Sequence, residues 1–152
     1  MMDIQAVARD RVAVRALEKG DLHRYRAIRL SALQRAPMAF DGENLLGTAG
    51  MFRHDRRSER HRGTLWGVYV ASEARGLKLG KALVGKVIDH AATQVIILDA
   101  KVVTTNEAAK RVYYTLGFKT FGVEPKSLYV QGQYLDQELI YIDFTDPERN
   151  PK

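Results

Sequence analysis

The sequence predicts an α/β fold, a single domain in which a mixed sheet is flanked by helices, and three observations carry that reading. Leu65 to Ala92 runs as a β-rich apolar segment, a basic glycine-containing turn and an amphipathic helix. A second apolar segment, Val95-Ile96-Ile97-Leu98, follows that helix at once, so the middle of the chain is a strand–helix–strand crossover. Near the C-terminus, apolar and polar residues alternate on either side of Gln131-Gly132-Gln133, the pattern of an antiparallel hairpin.

Taken in order, Val12, Val14 and Ala16 alternate with Ala13 and Arg15, which predicts a first strand with one buried face. Gly20-Asp21 supplies a stop and an N-cap. From Asp21 a helix follows, with Leu22, Tyr25, Ile28, Ala32 and Leu33 near helical spacing, and it ends before Pro37. Phe40-Asp41-Gly42-Glu43-Asn44-Leu45 carries an Asp-Gly step between apolar residues, a hairpin turn feeding a strand over Leu45 to Phe52. Gly47 and Gly50 weaken that strand. Arg53 to Arg62 is hydrophilic and basic with acids interspersed; its plain reading is a solvated loop, its sharper one an anion-contacting loop.

Thr64 to Val70 is the central strand. In the helix opening at Lys81, Leu79, Leu83, Val87 and Ile88, with Ala82 and Ala91, share one face, and Lys81, Lys86, Asp89 and His90 look outward. Val95 to Leu98 is apolar at every position, which predicts a strand covered on both faces. Thr105-Asn106-Glu107 then caps a helix carrying Ala108, Ala109, Val112, Tyr113 and Leu116, closed by Gly117. Phe118 starts another strand. After Glu124-Pro125, Lys126 to Val130 and Tyr134 to Phe144 form the terminal hairpin, with Ile140, Ile142 and Phe144 on one face and Leu139 and Tyr141 on the other. Residues 1–145 thus make the domain, and 146–152 a tail expected to fray.

Bulk properties narrow the function classes. At 152 residues there is room for one core, and no apolar run approaches the roughly 20 residues needed to span a bilayer. Met1-Met2-Asp3-Ile4-Gln5 lacks the pattern of a secretory signal and the chain has no cysteine, so a reducing, cytoplasmic setting is expected. The net charge of +6 asks for an anionic partner. His23, His54, His61 and His90 show no ligand spacing, so no metal is expected. No basic helix with base-reading residues and no aromatic platform is recognisable, which argues against a nucleic-acid reader.

The turn after Val70 is built for an anion. Backbone N–H groups at the start of a helix, with the positive end of its dipole, suit a phosphate, and Arg75, Lys78 and Lys81 add charge. Two blocks make the likeness specific. Val68-Tyr69-Val70 followed by Arg75-Gly76-Leu77-Lys78-Leu79-Gly80-Lys81 resembles the pyrophosphate-binding pattern of the GNAT superfamily of N-acetyltransferases. Asn106-Glu107-Ala108-Ala109-Lys110-Arg111-Val112-Tyr113, continuing to Gly117-Phe118, resembles that family's second block. The resemblance implies a GNAT-like fold and acetyl-CoA as cosubstrate, attacked directly by an amine in a ternary complex. It implies that Arg75, Gly76, Leu77, Lys78, Leu79, Gly80 and Lys81 hold the pyrophosphate. Val68, Tyr69 and Val70 would bind the pantetheine arm through backbone and polarise the thioester. Asn106 would contact the arm and Tyr113 would protonate the departing thiolate, with the adjacent Tyr114 the weaker candidate. A bare helix cap at Asn106 and a packed core tyrosine at position 113 are the plainer alternatives.

Two departures from the family pattern bear on the site, the first on its cofactor side and the second on its acceptor side. Lys78 stands where the family usually has glycine, so its side chain either crowds the phosphate oxygens or points outward and supplies charge. The segment Pro37 to Glu43 leaves the chain shortened between the first helix and the first hairpin, with room for little more than Met38-Ala39-Phe40. The acceptor pocket is therefore completed by a second subunit in a homodimer, unusually open, or defective. Trp66 and Gly67 occupy positions where many members carry a carboxylate, and the remaining bases, Glu124, Asp136, Glu138, His54 and His61, are dispersed. A small-molecule amine and a protein N-terminus both fit as acceptor. The alternative is a non-catalytic CoA-binding or degenerate module of the same fold.

Overall fold

The computed structural model describes residues 12–16, 37–41 and 44–149, with side chains from Leu45 onward. The helix expected from Asp21 lies outside the described residues. Two compact units divide the chain: one draws on residues 1–52 and 65–89, the other on 53–64 and 90–152. Strand β4 (Arg62–Val70) gives its end to the first and its start to the second.

In the first unit the strands run in the order β1 (Val12–Ala16), β2 (Pro37–Asp41), β3 (Asn44–Arg53), β4. The segment expected to leave room for little more than Met38-Ala39-Phe40 is itself β2. It pairs antiparallel with β1, from Val12↔Asp41 to Ala16↔Pro37, and with β3 through Asp41↔Asn44. Pro37 is tolerated because it opens the strand. After β4, a 3₁₀ turn (Ser72–Ala74) anchored by buried Ala74 leads into helix α1 (Leu79–Ala91). Leu79, Leu83, Val84, Val87, Ile88 and Ala91 are buried. Ala82, expected on the same face, is exposed, and Val84 takes the inward position instead.

The second unit orders β4, β5 (Ile97–Val103), β7 (Gln133–Asp143), β6 (Lys119–Val130). β5 is parallel to β4 over Arg62↔Ile97 to Thr64↔Asp99 and antiparallel to β7 throughout. Leu98, Ala100 and Val102 face a core with Ile140, Ile142, Tyr113 and Phe118. The expectation that Val95 to Leu98 is covered on both faces is overturned. Ile96 is 46% exposed and sits ahead of the strand, where its N–H donates to the His61 carbonyl. From Ile97 burial alternates, because the opposite face carries Asp99 and Lys101, each in an ion pair. The apolar quartet joins a loop end to a strand start and does not mark an interior strand.

Helix α2 (Glu107–Thr115) is capped as expected, the Asn106 side chain accepting from the Ala109 N–H at 3.1 Å, and Gly117 at φ +93° ends it. The two runs expected on either side of Glu124-Pro125 are one strand, β6, whose register slips between Glu124 and Leu128 around Lys126 at φ +51°. An edge strand can carry proline, since one of its rows of N–H groups has no ladder partner. The described part of the tail is held. Lys119 pairs with Asp146 at 2.8 Å and the Arg149 guanidinium lies 4.5 Å from the Phe144 ring centre.

Candidate active site

In the first unit the turn between β4 and α1 presents donors. Ala74, Arg75 and Leu77 give their N–H groups to carbonyls of the turn itself. The N–H groups of Gly76, Lys78, Leu79, Gly80 and Lys81 find no acceptor among the described residues. The chain can aim them this way because Gly76 (φ +89°) and Lys78 (φ +60°) both adopt the left-handed conformation. That conformation costs a residue with a Cβ about 1–2 kcal/mol, and Lys78 bears the cost. Its side chain is exposed, as are those of Arg75 and Lys81, while Leu79 is buried under the turn. Donors and guanidinium and ammonium groups around a helix N-terminus make an anion cradle.

β4 delivers the chain to this turn with a reset phase. Gly63 and Leu65 are buried, but Gly67 and Tyr69 are exposed and Val68 and Val70 half-buried. The reset falls at Gly67, in the left-handed region at φ +63°, as a bulge residue would be. Thr48, only 1% exposed, donates its hydroxyl to the Gly67 carbonyl at 2.7 Å and holds the kink. Gly47 lets β4 come close: a Cβ there would stand 2.8 Å from the Tyr69 carbonyl oxygen and 2.9 Å from Leu83 Cδ1. Thr48 and Gly47 are positioning residues that sequence reading missed. The signal was the glycine in a strand pattern, which marks a close backbone approach as often as a weak strand. The Trp66 indole N–H is buried and has no partner among the described residues.

In the second unit α2 holds Asn106 and Tyr113. Asn106 is exposed, with Oδ1 engaged in the cap and its amide NH2 group left to donate elsewhere. Tyr113 is buried, its ring edge-on to Phe118 at 5.5 Å. Burial raises its phenol above the ordinary tyrosine range. Its hydroxyl makes no hydrogen bond to any described residue. Tyr114 differs: its hydroxyl donates to Glu138 in a very short contact and lies 2.9 Å from the Thr120 hydroxyl. Lys110, one turn earlier on the same helix face, reaches Glu138 at 2.9 Å and Glu107 at 3.1 Å. Hydrogen bonds from Tyr114 first, and then Lys110, hold the Glu138 carboxyl below the usual range; Glu138 in turn raises Lys110. This carboxylate fixes α2 on β7, and so fixes the rotation of the helix that carries Tyr113.

Glu124, Asp136 and His54 are engaged too. Glu124 accepts from Lys101 at 2.6 Å and from Ser127 at 2.7 Å, which lowers it. Asp136 accepts the Lys126 N–H at 2.8 Å, and His54 bonds Thr64 at 2.9 Å. His61 is exposed. Lys86 and Arg111 are exposed and His90 half-buried, as surface residues. Among the described residues no group of three or more His, Cys, Asp or Glu is placed to hold a metal, and no helix is long and apolar enough to cross a membrane.

Comparison with known proteins places the chain in a family. The sequence model described as the acetyltransferase (GNAT) family matches residues 7–118. No curated protein matches. Among solved structures, the ribosomal-protein-alanine N-acetyltransferase of Brucella melitensis superposes with a TM-score of 0.74 at 22% identity, covering 86% of this chain and 99% of that one. An N-acetyltransferase from Staphylococcus aureus Mu50 gives 0.76 at 19% identity, covering 88% and 99%. The structure of yncA from Salmonella typhimurium with its cofactor acetyl-CoA gives 0.73 at 18% identity, covering 89% and 95%. At these identities the likeness is one of fold.

Proposed function

The chain belongs to the acetyltransferase (GNAT) family, and on that premise we propose that it is an N-acetyltransferase moving the acetyl group of acetyl-CoA to a primary amine by direct attack. The observation that carries this reading is the turn before α1, whose N–H groups at Gly76, Lys78, Leu79, Gly80 and Lys81 have no described acceptor and point to a pyrophosphate. Arg75, Lys78 and Lys81 supplement them with charge.

The chemistry asked of the residues is modest. The amine nitrogen attacks the thioester carbonyl carbon, the C–S bond breaks, and the thiolate takes a proton. In this reading the backbone of Val68, Tyr69 and Val70 holds the pantetheine arm and stabilises the developing oxyanion. Asn106 donates its amide to the arm. Tyr113 gives the thiolate its proton and is restored, through solvent, by the proton the nitrogen loses as the amide forms, a role its unpartnered hydroxyl suits and Tyr114, committed to Glu138, does not. Since the carboxylates at 124, 136 and 138 are engaged, the ammonium proton of the acceptor leaves to water. The acceptor is a small-molecule amine or a protein N-terminus, and the setting is the cytoplasm.

A second reading, a CoA-binding module without turnover, draws on Lys78 standing where the family usually has glycine and on the short segment between the first helix and the first hairpin. Thermal shift with acetyl-CoA, CoA and ATP, then thiol release over an amine panel, separates the two. The enzyme is stabilised by acetyl-CoA and releases thiol with at least one amine; the module is stabilised and releases none. Binding at a hundredfold excess over Kd contributes about 2.7 kcal/mol, so the absence of any shift at saturating ligand would falsify both.

A further inference from the structure

The loop between β3 and β4 is braced by its own hydrogen bonds. His54 and Arg62 close it through an N–H to carbonyl bond of 3.1 Å, and Glu59 N–H returns to the Arg56 carbonyl at 2.8 Å. Arg53 donates Nε to the Arg60 carbonyl at 2.6 Å, and Arg60 donates Nε to the Asp55 carbonyl at 3.4 Å. His54 lies between Thr64, at 2.9 Å, and Glu59, at 3.4 Å. These bonds consume backbone groups and Nε atoms. The terminal nitrogens of Arg53, Arg56, Arg57 and Arg60 stay exposed and form no ion pair among the described residues.

Charge in the loop is unbalanced once internal pairs are set aside. Arg62 is taken by Asp99 at 2.8 Å, and Glu59 faces His54. What remains is four guanidiniums against the Asp55 and Glu59 carboxylates, in a chain of net charge +6. Guanidinium forks match phosphate oxygens in pairs, and a loop already braced loses little freedom on binding. The loop also lacks any exposed large apolar side chain between residues 54 and 61. Protein interfaces concentrate energy in an aromatic or apolar centre, which this loop does not have.

We propose that the loop Arg53 to Arg62 docks the phosphate backbone of a nucleic acid without reading its sequence. The residues that exclude a base reader leave backbone contact open, since that needs only charge and positioned donors. The surface belongs wholly to the second unit.

Fluorescence anisotropy of the full chain with labelled mixed-sequence RNA and DNA oligonucleotides tests this across salt. Four phosphate contacts give a slope of log K against log salt of about −3, hence about a 60-fold loss between ~50 and ~200 mM. The variant Arg56→Glu/Arg57→Glu, changed at two exposed and unpaired side chains, is expected to bind at least about tenfold more weakly with a shallower slope. Its melting temperature and its thermal shift with acetyl-CoA should be those of the wild type. Absent binding at the lower salt, equal binding by the variant, or tighter binding of polyglutamate or anionic lipid vesicles than of either oligonucleotide overturns the proposal.

Discussion

Replacing Gly47 with alanine tests whether the approach of β3 to the end of β4 is a requirement of the fold. The new Cβ would meet the Tyr69 carbonyl oxygen at 2.8 Å and Leu83 Cδ1 at 2.9 Å, whereas ordinary contacts begin at 3.4 Å. Leu83 is fully buried and has no free direction to swing, and the carbonyl is backbone. Overpacking of this kind costs about 1–3 kcal/mol. Alanine recovers about 0.4–1 kcal/mol by restricting the unfolded chain, which leaves a net loss of about 1–2 kcal/mol. At about 2–4 °C per kcal/mol for a chain of this size, the melting temperature should fall by about 2–8 °C. Gly85→Ala is the matched control: it lies inside α1 with nothing within 4 Å of its added Cβ, so it should gain about 0.5–1 kcal/mol and melt higher. Because Tyr69 is proposed to bind the pantetheine arm, Gly47→Ala should also raise KM for acetyl-CoA while Gly85→Ala leaves it alone. Equal melting temperatures for the two variants refute the packing argument. A normal KM in a destabilised Gly47→Ala protein refutes the link from this contact to the cofactor.

Tyr113→Phe should lower kcat by about 10²–10⁴ with KM for acetyl-CoA and melting temperature nearly unchanged, because the hydroxyl has no described partner to lose. Burial raises the Tyr113 phenol, so the wild-type rate should hold on the alkaline side past the ordinary tyrosine range near 10. Its contribution to stability is complete below that range and is lost as pH rises through the folded-state value, readable in pH-dependent melting. Asn106→Ala should cost about 1 kcal/mol through the lost cap, whereas Asn106→Asp keeps an oxygen for the Ala109 N–H; if only the cap matters, Asp restores both stability and KM, and if the amide contacts the arm, KM stays high. Glu138→Gln should lower the melting temperature by a few degrees at neutral pH. The difference should shrink as pH falls through the lowered Glu138 value, because the wild type then protonates the same group, and an acid-limb titration of melting measures it.

What could be read in the sequence was contiguous, and what could not was made by topology. The strand, turn and helix of the cradle, the Asn106 cap and the C-terminal hairpin each rest on neighbours in sequence, where capping, glycine conformation and alternation act directly. Glu138 could be named as a possible base but not as the carboxylate on which Lys110, Tyr114 and Thr120 converge, since only the pairing of β6 with β7 and the docking of α2 bring them together. Ile96 misled because a run of apolar residues has no phase. Gly47 was noticed for the wrong reason, as a flaw in a strand, when the Tyr69 carbonyl opposite makes its missing side chain a necessity.

Lys78 is the sharpest case of the difference between residue identity and backbone conformation. Its identity departs from the family's glycine, and crowding of the phosphate is the expected result. Its φ of +60° is nonetheless one that glycine would adopt, and its side chain is exposed. The turn therefore keeps the backbone that aims the amides, at a cost of about 1–2 kcal/mol held locally, and adds a cation that glycine cannot. Lys78→Gly should release that strain and leave the amides in place, so any loss of acetyl-CoA affinity measures the ammonium alone. Tighter binding in this variant would mean that the side chain obstructs the cradle after all.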